Sequence, residues 1–244
     1  MEAKDQALDV WGEFACFTRP ELKVERFSYP VPTPSAVRGI YDAVYCKRTA
    51  FRWQVTSVEI LKPVRYAALR RNEVQSKVGV DSVVEKWRLG KGTPWLCADG
   101  EDERTQRQTM ALRDVRYRLH AKVVAWDPCA NLAEIEGQFR RRAEHGKCIY
   151  QPYFGCREFP AYFELVPVPP EPTQPELFDQ DIGWMLYDVF DLSRPHDPLD
   201  TSLKGNPDGT LCISLFEAKV KGGVLDIPSF DDDRVKKVPE VPRA

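Results

Sequence analysis

Long apolar runs are missing from this sequence. Its 244 residues contain no stretch of about 18 or more uncharged apolar residues, the length that a helix needs to cross a bilayer. The start, MEAKDQALDV, is polar and acidic and lacks the basic and apolar regions of a signal peptide. We therefore expect a cytoplasmic protein with no membrane partner.

Cysteine pairs with the spacing of a zinc site are also missing. The seven cysteines are odd in number and scattered, and no C-x-x-C pair has a matching second pair. No cluster of carboxylates, cysteines or histidines stands out as a metal site. The sequence therefore predicts neither a disulfide framework nor a bound metal, and it indicates no other cofactor.

A net positive charge is the third absence. The formal charge of −2 argues against a uniformly basic coat for nucleic acid. Charges of opposite sign nevertheless cluster at different places in the chain. Arginine clusters occur at 70–71 and 140–142, and an acidic run occurs at 231–233. This pattern is compatible with a local anion site. With 43% hydrophobic residues, the chain can bury one large core or two modest ones.

The most informative stretch is DVRYRLHAKVVAW, residues 114–126. Successive strand residues point to opposite faces, and one face is apolar here. The other face carries Arg116, Arg118, His120 and Lys122. This histidine is one of only three in the chain, and imidazole moves protons near neutral pH. The pattern is compatible with a surface that cleaves or holds RNA, although a solvated edge strand is its commoner explanation when taken alone.

The first predicted helix has a clear start. Thr33 is a good N-cap, Pro34 suits the first helical position, and an apolar stripe follows. On a helical wheel, Tyr41 lies inside this stripe and Tyr45 lies at its edge. We therefore expect Tyr41 in the core and an exposed hydroxyl on Tyr45.

The remaining patterns complete a β-α-β-β-α-β order. The predicted strands cover residues 7–17, 52–66, 114–126 and 161–166, and a second helix, capped by Asn131 and Glu134, covers about 132–145. That order is typical of a ferredoxin-like, RRM-like α+β domain, whose helices cover one face of an antiparallel sheet while the other face meets a ligand. We assign residues 1–166 to this domain.

Two further segments differ in character from this domain. Residues at about 70–110 are polar and rich in turn signals, and we interpret them as an inserted hairpin or a flexible basic arm. After residue 166, PVPPEPTQPE is typical of a semi-rigid linker. Apolar segments at 184–190 and 210–216 then predict a smaller β-rich C-terminal domain, residues 167–244.

Several longer blocks of the sequence resemble one family. They are VWGEFACFTRPELKVER at 10–26, PTPSAVRGI at 32–40, RRNEV at 70–74, FRRR at 139–142 and GCREFPA at 155–161. These blocks resemble the CRISPR-associated Cas family 5 proteins of subtype I-C, which belong to the repeat-associated RAMP superfamily. The resemblance extends from residue 10 to about residue 165.

This resemblance implies an activity. In this subtype, the family member cuts the CRISPR repeat of precursor crRNA without metal. It then stays on the 5′ handle of the crRNA, in a surveillance complex with a backbone subunit and a large subunit. The family's catalytic tyrosine near the end of the first helix is matched by Tyr45. Its basic pair in the strand before the second helix is matched by His120 and Lys122, although members differ in the identity and order of that pair.

Metal-free RNA cleavage needs a group that takes the 2′-hydroxyl proton, a cation at the phosphorane and an acid for the leaving 5′-oxygen. Two residues apart on one strand face, His120 and Lys122 have Cα atoms about 6.5 Å apart and can reach one phosphate. We expect His120 to act as acid or base and Lys122 as electrostatic stabiliser. Tyr45 would orient or activate the attacking hydroxyl, and packing at the helix edge is the alternative for it.

Basic residues along the chain are candidates for holding the RNA. They are Arg19, Lys23, Arg26, Arg38, Arg70, Arg71, Arg116, Arg118 and Arg157. The arm adds Lys77, Lys86, Arg88 and Lys91, with Trp87 and Trp95 as stacking surfaces. A disordered loop that only confers solubility is the alternative interpretation of the arm.

Two other functions are compatible with the sequence. The chain could be a non-catalytic subunit that binds the crRNA 5′ handle while another enzyme cuts. It could also be a subunit that contacts target DNA. The joint presence of Tyr45, His120 and Lys122 favours catalysis.

Overall fold

The computed structural model describes residues 2–74, 84–91, 104–167, 172–193, 195 and 213–237. The described strands are β1 Gln6–Ala15, β2 Arg26–Phe27, β3 Phe51–Ile60, β4 Tyr66–Val74, β5 Arg104–Ala125, β6 Tyr162–Leu165, β7 Gln180–Asp188, β8 Ser214–Lys221, β9 Val224–Asp226 and β10 Lys236–Lys237. The described helices are α1 Pro34–Val44, α2 Glu85–Arg88 and α3 Leu132–Glu144, with a 3-10 turn at Pro20–Leu22. The chain is therefore an α+β protein dominated by antiparallel sheet.

Both predicted long helices are confirmed, and so are their caps. The Thr33 side chain accepts a hydrogen bond from the Ala36 amide at 3.3 Å, with proline in the first turn of α1. The Asn131 side chain accepts one from the Glu134 amide at 3.3 Å. These side chains satisfy backbone donors that a helix start leaves unpaired.

One part of the core lies between α1, α3 and one face of the sheet, and the C-terminal strands contribute further buried residues. Tyr41 is fully buried, as predicted, and its hydroxyl lies 2.7 Å from the Gln6 carbonyl oxygen and 2.8 Å from that of Leu119. Its ring packs on Phe139 of α3 with centroids 5.5 Å apart, and the Phe139 ring lies 4.6 Å from Trp53 of β3. These contacts fix both helices over β1, β3 and β5.

The strand β5 is the centre of the sheet. It pairs antiparallel with β3 on one side and with β1 on the other, and β1 pairs antiparallel with β6. It spans 22 residues, so it begins earlier than the predicted start at residue 114. Residues 104–112 pair with β4, and Asp114, at φ 52°, separates the two halves. This antiparallel pair agrees with the hairpin interpretation of the polar segment, although periodicity did not give the strand bounds because the pair has no apolar face.

The C-terminal strands extend the same sheet. Strand β9 pairs with β3 through Ser57, Val58 and Glu59, and β8 pairs with β7, β9 and β10. The predicted strands at 184–190 and 210–216 correspond to β7 and β8, each shifted by a few residues. None of the described helices is long and apolar enough to cross a membrane.

Candidate active site

The two faces of β5 are sorted as the sequence pattern predicts. The apolar set from Val115 to Val123 is buried on the face that the helices cover. The opposite, polar face carries Arg116, Arg118, His120 and Lys122. Neighbouring strands add to this face, because Ala7 of β1 and Ser57 of β3 flank His120.

His120 lies between two carboxylates. Its Nδ1 is 2.6 Å from Oδ2 of Asp5, and its Nε2 is 2.8 Å from Oε1 of Glu59. Asp5 immediately precedes β1, and Glu59 lies in β3 beyond a register shift between Val55 and Ser57. The two carboxylates are 115 and 61 positions away in the chain. No local motif signals either partner, so neither carboxylate was predicted from the sequence.

These carboxylates control the charge of the imidazole. Burial by itself lowers the pKa of His120, but hydrogen bonds and charge interactions with Asp5 and Glu59 outweigh burial, and the net pKa is raised. The side chain is only 15% exposed. The protonated form of His120 is therefore favoured, and its access to solvent is restricted.

Lys122 lies two residues along β5 on the same face. It is paired in register with Gln54 of β3, whose buried amide lies 2.8 Å from the Tyr187 hydroxyl. Within the part of the chain that the structure describes, no carboxylate pairs with the Lys122 ammonium. The structure thus brings His120 and Lys122 to one face and leaves Lys122 without a counter-ion there.

Tyr45 lies on the other side of the sheet. It is the C-cap of α1, in an extended conformation with φ −152°, and its ring packs 5.4 Å from Phe51 in the aromatic cluster under the helices. Its carbonyl oxygen accepts a hydrogen bond from the Trp53 indole at 2.9 Å. The structure does not bring Tyr45 to His120 and Lys122, and its contacts are those of the packing alternative.

Several candidate RNA-binding arginines are engaged in ion pairs. Arg118 contacts Asp9 at 2.7 Å, and Arg116 contacts the same carboxylate at 3.4 Å. At the base of the arm, Arg26 lies 3.1 Å from Glu158, and Arg71 also pairs with that carboxylate. Charge at these positions is therefore partly neutralised within the protein.

Arg38, a candidate RNA-binding residue in the sequence, lies in an ion-pair network that is largely buried. Its guanidinium lies 2.8 Å from Asp42 in α1 and 2.8 Å from Asp188 in β7. Burial lowers its pKa, but the charge of Asp188 and that of Asp42 outweigh burial and raise it. With 16% of its side chain exposed, Arg38 connects two elements, and this geometry does not fit a contact with RNA.

Other candidates remain on the surface. Lys23, Arg70 and Arg157 are exposed, and Arg70 lines a groove with Gln106 and Gln108 of β5. Arg19 is more restricted, since its guanidinium lies 4.6 Å from the centre of the Tyr29 ring. In the arm, Lys86, Trp87 and Arg88 form the short, exposed α2 and Lys91 follows it. Lys77 and Trp95 lie outside the described residues.

The described residues contain no group of three or more histidine, cysteine, aspartate or glutamate side chains that could hold a metal ion. Fold and site together define an α+β protein whose polar sheet face carries a histidine between two carboxylates and a lysine two residues away.

Comparison with known proteins specifies the family. The family model Cas_Cas5d, described as CRISPR-associated protein (Cas_Cas5), matches residues 7–228. A protein of Mannheimia succiniciproducens named "CRISPR pre-crRNA endoribonuclease Cas5d" is 38% identical over 237 residues, 94% of this chain and 97% of the relative. A Thermus thermophilus protein of the same name is 39% identical over 228 residues, 90% of each chain. This chain belongs to the Cas5 family of CRISPR-associated proteins, in its Cas5d branch, which confirms the resemblance seen in the sequence.

Solved structures show the same fold at lower identity. The crystal structure of a CRISPR-associated protein superposes with a TM-score of 0.63 at 21% identity, covering 97% of this chain and 98% of the other. A functionally uncharacterized protein from Streptococcus mutans gives a TM-score of 0.61 at 17% identity with the same coverage. These two structural similarities concern the fold alone.

Proposed function

We propose that this chain is a metal-independent endoribonuclease that cuts the CRISPR repeat in precursor crRNA. Two relatives at 38% and 39% identity, matched over nearly their whole length, bear the name of that activity. The observation that carries the proposal is the position of His120 and Lys122, two residues apart on one face of β5. At that spacing, about 6.5 Å between Cα atoms, both side chains can reach one phosphate.

The reaction is an attack of the 2′-hydroxyl on the adjacent phosphorus. The O2′–P bond forms and the P–O5′ bond breaks, which leaves a 2′,3′-cyclic phosphate and a 5′-hydroxyl. Lys122 stabilises the negative charge that develops on the phosphorane oxygens. His120 transfers a proton. We assign Tyr45 no contact with the reacting atoms, because its ring packs among the aromatic residues under the helices.

The RNA is held by cations on the arm and near its base. Arg70, Lys23 and Arg157 are the strongest candidates, because they are exposed. Arg26, Arg71 and Arg116 contribute where RNA phosphates displace their carboxylate partners. Arg38 and Arg118 are better explained as structural ion pairs, since each is largely buried against aspartate.

We also propose that residues 1–166 form a ferredoxin-like domain. The strand order β3-β5-β1-β6, antiparallel throughout with α1 and α3 on one face, supports this arrangement.

The resemblance to subtype I-C proteins further suggests that the product stays bound through its 5′ handle. Its partners would be the backbone and large subunits of a surveillance complex, and target DNA is a further candidate.

One observation favours a second function. Both ring nitrogens of His120 face carboxylates, so the histidine of the free protein offers no vacant nitrogen to RNA. A subunit that only binds the crRNA 5′ handle would be compatible with such a buried, purely structural histidine.

A cleavage assay separates the two functions. Purified protein is incubated with a labelled single-repeat RNA in EDTA, as wild type, His120→Ala and His145→Ala. His145 is the matched control, because it is exposed at the end of α3. We expect site-specific cleavage by wild type and by the control, and a loss of about 10²-fold or more in His120→Ala with RNA binding nearly intact. Tight binding without cleavage by wild type would instead support the handle-binding subunit.

A further inference from the structure

We infer that Glu59 is a positioning residue that holds His120 as the proton donor to the leaving 5′-oxygen, and that Asp5 occupies the place of the reacting phosphate ester until RNA binds. This inference rests on the proposed function, and it assigns roles to two residues that no sequence pattern indicates. It also distinguishes between acid and base for His120.

The hydrogen-bonding capacity of imidazole defines the protonation state of His120 between its two partners. A neutral imidazole has one N–H donor and one acceptor nitrogen, whereas the imidazolium has two donors. Carboxylates lie 2.6 Å from Nδ1 and 2.8 Å from Nε2, and an ionised carboxylate only accepts hydrogen bonds. Only the doubly protonated ring satisfies both contacts. A ring in that state can donate a proton but cannot accept one.

The two carboxylates beside His120 differ in their exposure to solvent. Glu59 lies within β3, has an 18% exposed side chain, and its second oxygen is hydrogen-bonded by the Thr173 hydroxyl. Asp5 precedes β1, has a 39% exposed side chain, and is held by the Thr56 hydroxyl at 3.1 Å. The Asp5 side of the ring is therefore the one that an incoming phosphate ester can reach, and Nδ1 is the donor nitrogen.

The surrounding charges agree with this assignment. On β5, Arg118 and Lys122 share the face of His120, and on β1 Asp9 lies opposite Arg118. Arg118 is paired with Asp9 at 2.7 Å. Among the described residues, Lys122 is then the nearby cation without a carboxylate partner, and Asp5 and Glu59 are the anions in contact with the ring. The raised pKa of His120 reflects the predominance of these two anions over burial.

The proton balance of the step is simple. As the O2′–P bond forms and the P–O5′ bond breaks, the Nδ1–H proton moves to O5′ and the 2′-hydroxyl proton moves to water. His120 is left neutral, with its Nε2–H still donated to Glu59. Solvent then returns a proton to Nδ1.

A substrate with a bridging sulfur at the 5′ position of the cut tests the donor role. A thiolate leaves without a proton, so it does not need the acid. We expect His120→Ala to lose about 10²-fold or more on normal RNA and to recover most of that loss on the sulfur-bridged RNA. If the loss is equal on both substrates, His120 is not the acid. If wild type cleaves neither RNA, the proposed function fails, whatever the role of His120.

Two variants test the assigned partners by separating KM from kcat. Glu59→Gln should lower kcat on normal RNA and recover on the sulfur-bridged substrate. Asp5→Asn should lower KM, because a carboxylate that competes with the phosphate is removed. Glu144→Gln, at an exposed position of α3, is the matched control. An unchanged kcat in Glu59→Gln, or a raised KM in Asp5→Asn, would overturn the assignment.

A spectroscopic measurement gives a readout that does not depend on cleavage. The chain has three histidines, so their ring nitrogens can be resolved by NMR with ¹⁵N-labelled histidine. We expect His120 to be protonated on both nitrogens at pH 7 in the wild type, and its titration midpoint to fall in Glu59→Gln. A neutral His120 ring at pH 7 would contradict the inference even if the protein cleaves RNA.

Discussion

At the scale of single residues, distant contacts set the chemistry of this protein. His120 is a neutral-pH titrating residue by type, but Asp5 and Glu59 decide its charge. Arg38 looks like any basic residue in the sequence, yet it is buried between Asp42 and Asp188. In each case the residue type allows several roles. The carboxylates that lie near it in the fold determine which role the residue has.

The raised pKa of His120 predicts a dependence of stability on pH. Protonation of His120 stabilises the folded state. This stabilisation is fully present below the pKa of the unfolded state, about 6.5, and is lost as pH rises through the raised pKa of the folded state. The difference in unfolding free energy between wild type and His120→Gln should therefore shrink as pH rises from 6. Urea titrations at several pH values measure it. His145→Gln is the control, since His145 contacts a backbone carbonyl. If the difference in unfolding free energy shrinks equally with pH for this variant, the prediction is contradicted.

Arg38→Ala should destabilise the protein by about 3–5 kcal/mol, because it leaves buried carboxylates without their counter-ion. Asp188 is the more affected, with a 2% exposed side chain. Urea denaturation measures the effect. Lys23→Ala, at an exposed position, should change stability by no more than about 0.5 kcal/mol. If Arg38→Ala has normal stability but binds RNA weakly, Arg38 contacts the RNA after all.

At the scale of elements, the basic arm and the loop after α3 are positioned by backbone pairing. The described part of the arm comprises α2 and an antiparallel pair of β4 with residues 104–112 of β5, and Arg70 lies on that pair. The loop carries Gly155, which has a positive φ of 78° and approaches the backbone of Cys16. Both features are conformational requirements that side-chain periodicity does not encode.

Neutralising Arg70 should weaken RNA binding and reduce its salt dependence. Each lost phosphate contact lowers the slope of log affinity against log salt by roughly 0.7–0.9. Filter binding or anisotropy between 50 and 200 mM salt measures this slope for Arg70→Ala. Arg141→Ala is the matched control, because Arg141 is exposed on α3, on the side of the sheet away from His120. An unchanged slope in Arg70→Ala would remove the arm from the RNA interface.

Gly155→Ala should destabilise the fold by at least about 2 kcal/mol. A Cβ at this position would lie 2.1 Å from the Cys16 carbonyl oxygen, in a backbone conformation with φ 78° that favours glycine. Gly39→Ala is the matched control, since a Cβ there has open space within α1 and should be neutral or stabilising by up to about 1 kcal/mol. Thermal unfolding of both variants gives the comparison. Equal melting temperatures would show that the loop can rearrange.

At the scale of the whole molecule, one sheet connects the two parts that the sequence suggested. Strand β9 pairs with β3, and Arg38 ties α1 to β7. The polar face that bears His120 therefore borders the C-terminal strands, and Gln54 beside Lys122 bonds Tyr187 of β7. The candidate site depends on both halves of the chain.

This continuity predicts cooperative unfolding. The chain has six tryptophans, among them Trp53 in the core and Trp184 in β7, and their fluorescence reports local environments while circular dichroism reports the backbone as a whole. We expect both signals to follow a single urea transition with the same midpoint. Two separated transitions would show that residues 167–244 fold as an independent unit.

The sequence by itself determined the features that local periodicity and chain chemistry encode. These are the α+β class, the helices α1 and α3 with their caps, the burial of Tyr41 and the two faces of β5, whereas the family was identified by the resemblance of longer sequence blocks. Such features depend on residues within a few positions of one another, where helix and strand periods translate directly into burial.

Only the tertiary structure decided which distant groups meet. It brought Asp5 and Glu59 to His120, placed Tyr45 under the helices, buried Arg38 against Asp188 and paired β9 with β3. Strand register and bulges set these contacts, because a shift of one residue moves a side chain to the opposite face. Register arises from pairing between strands far apart in the chain, which no local pattern specifies.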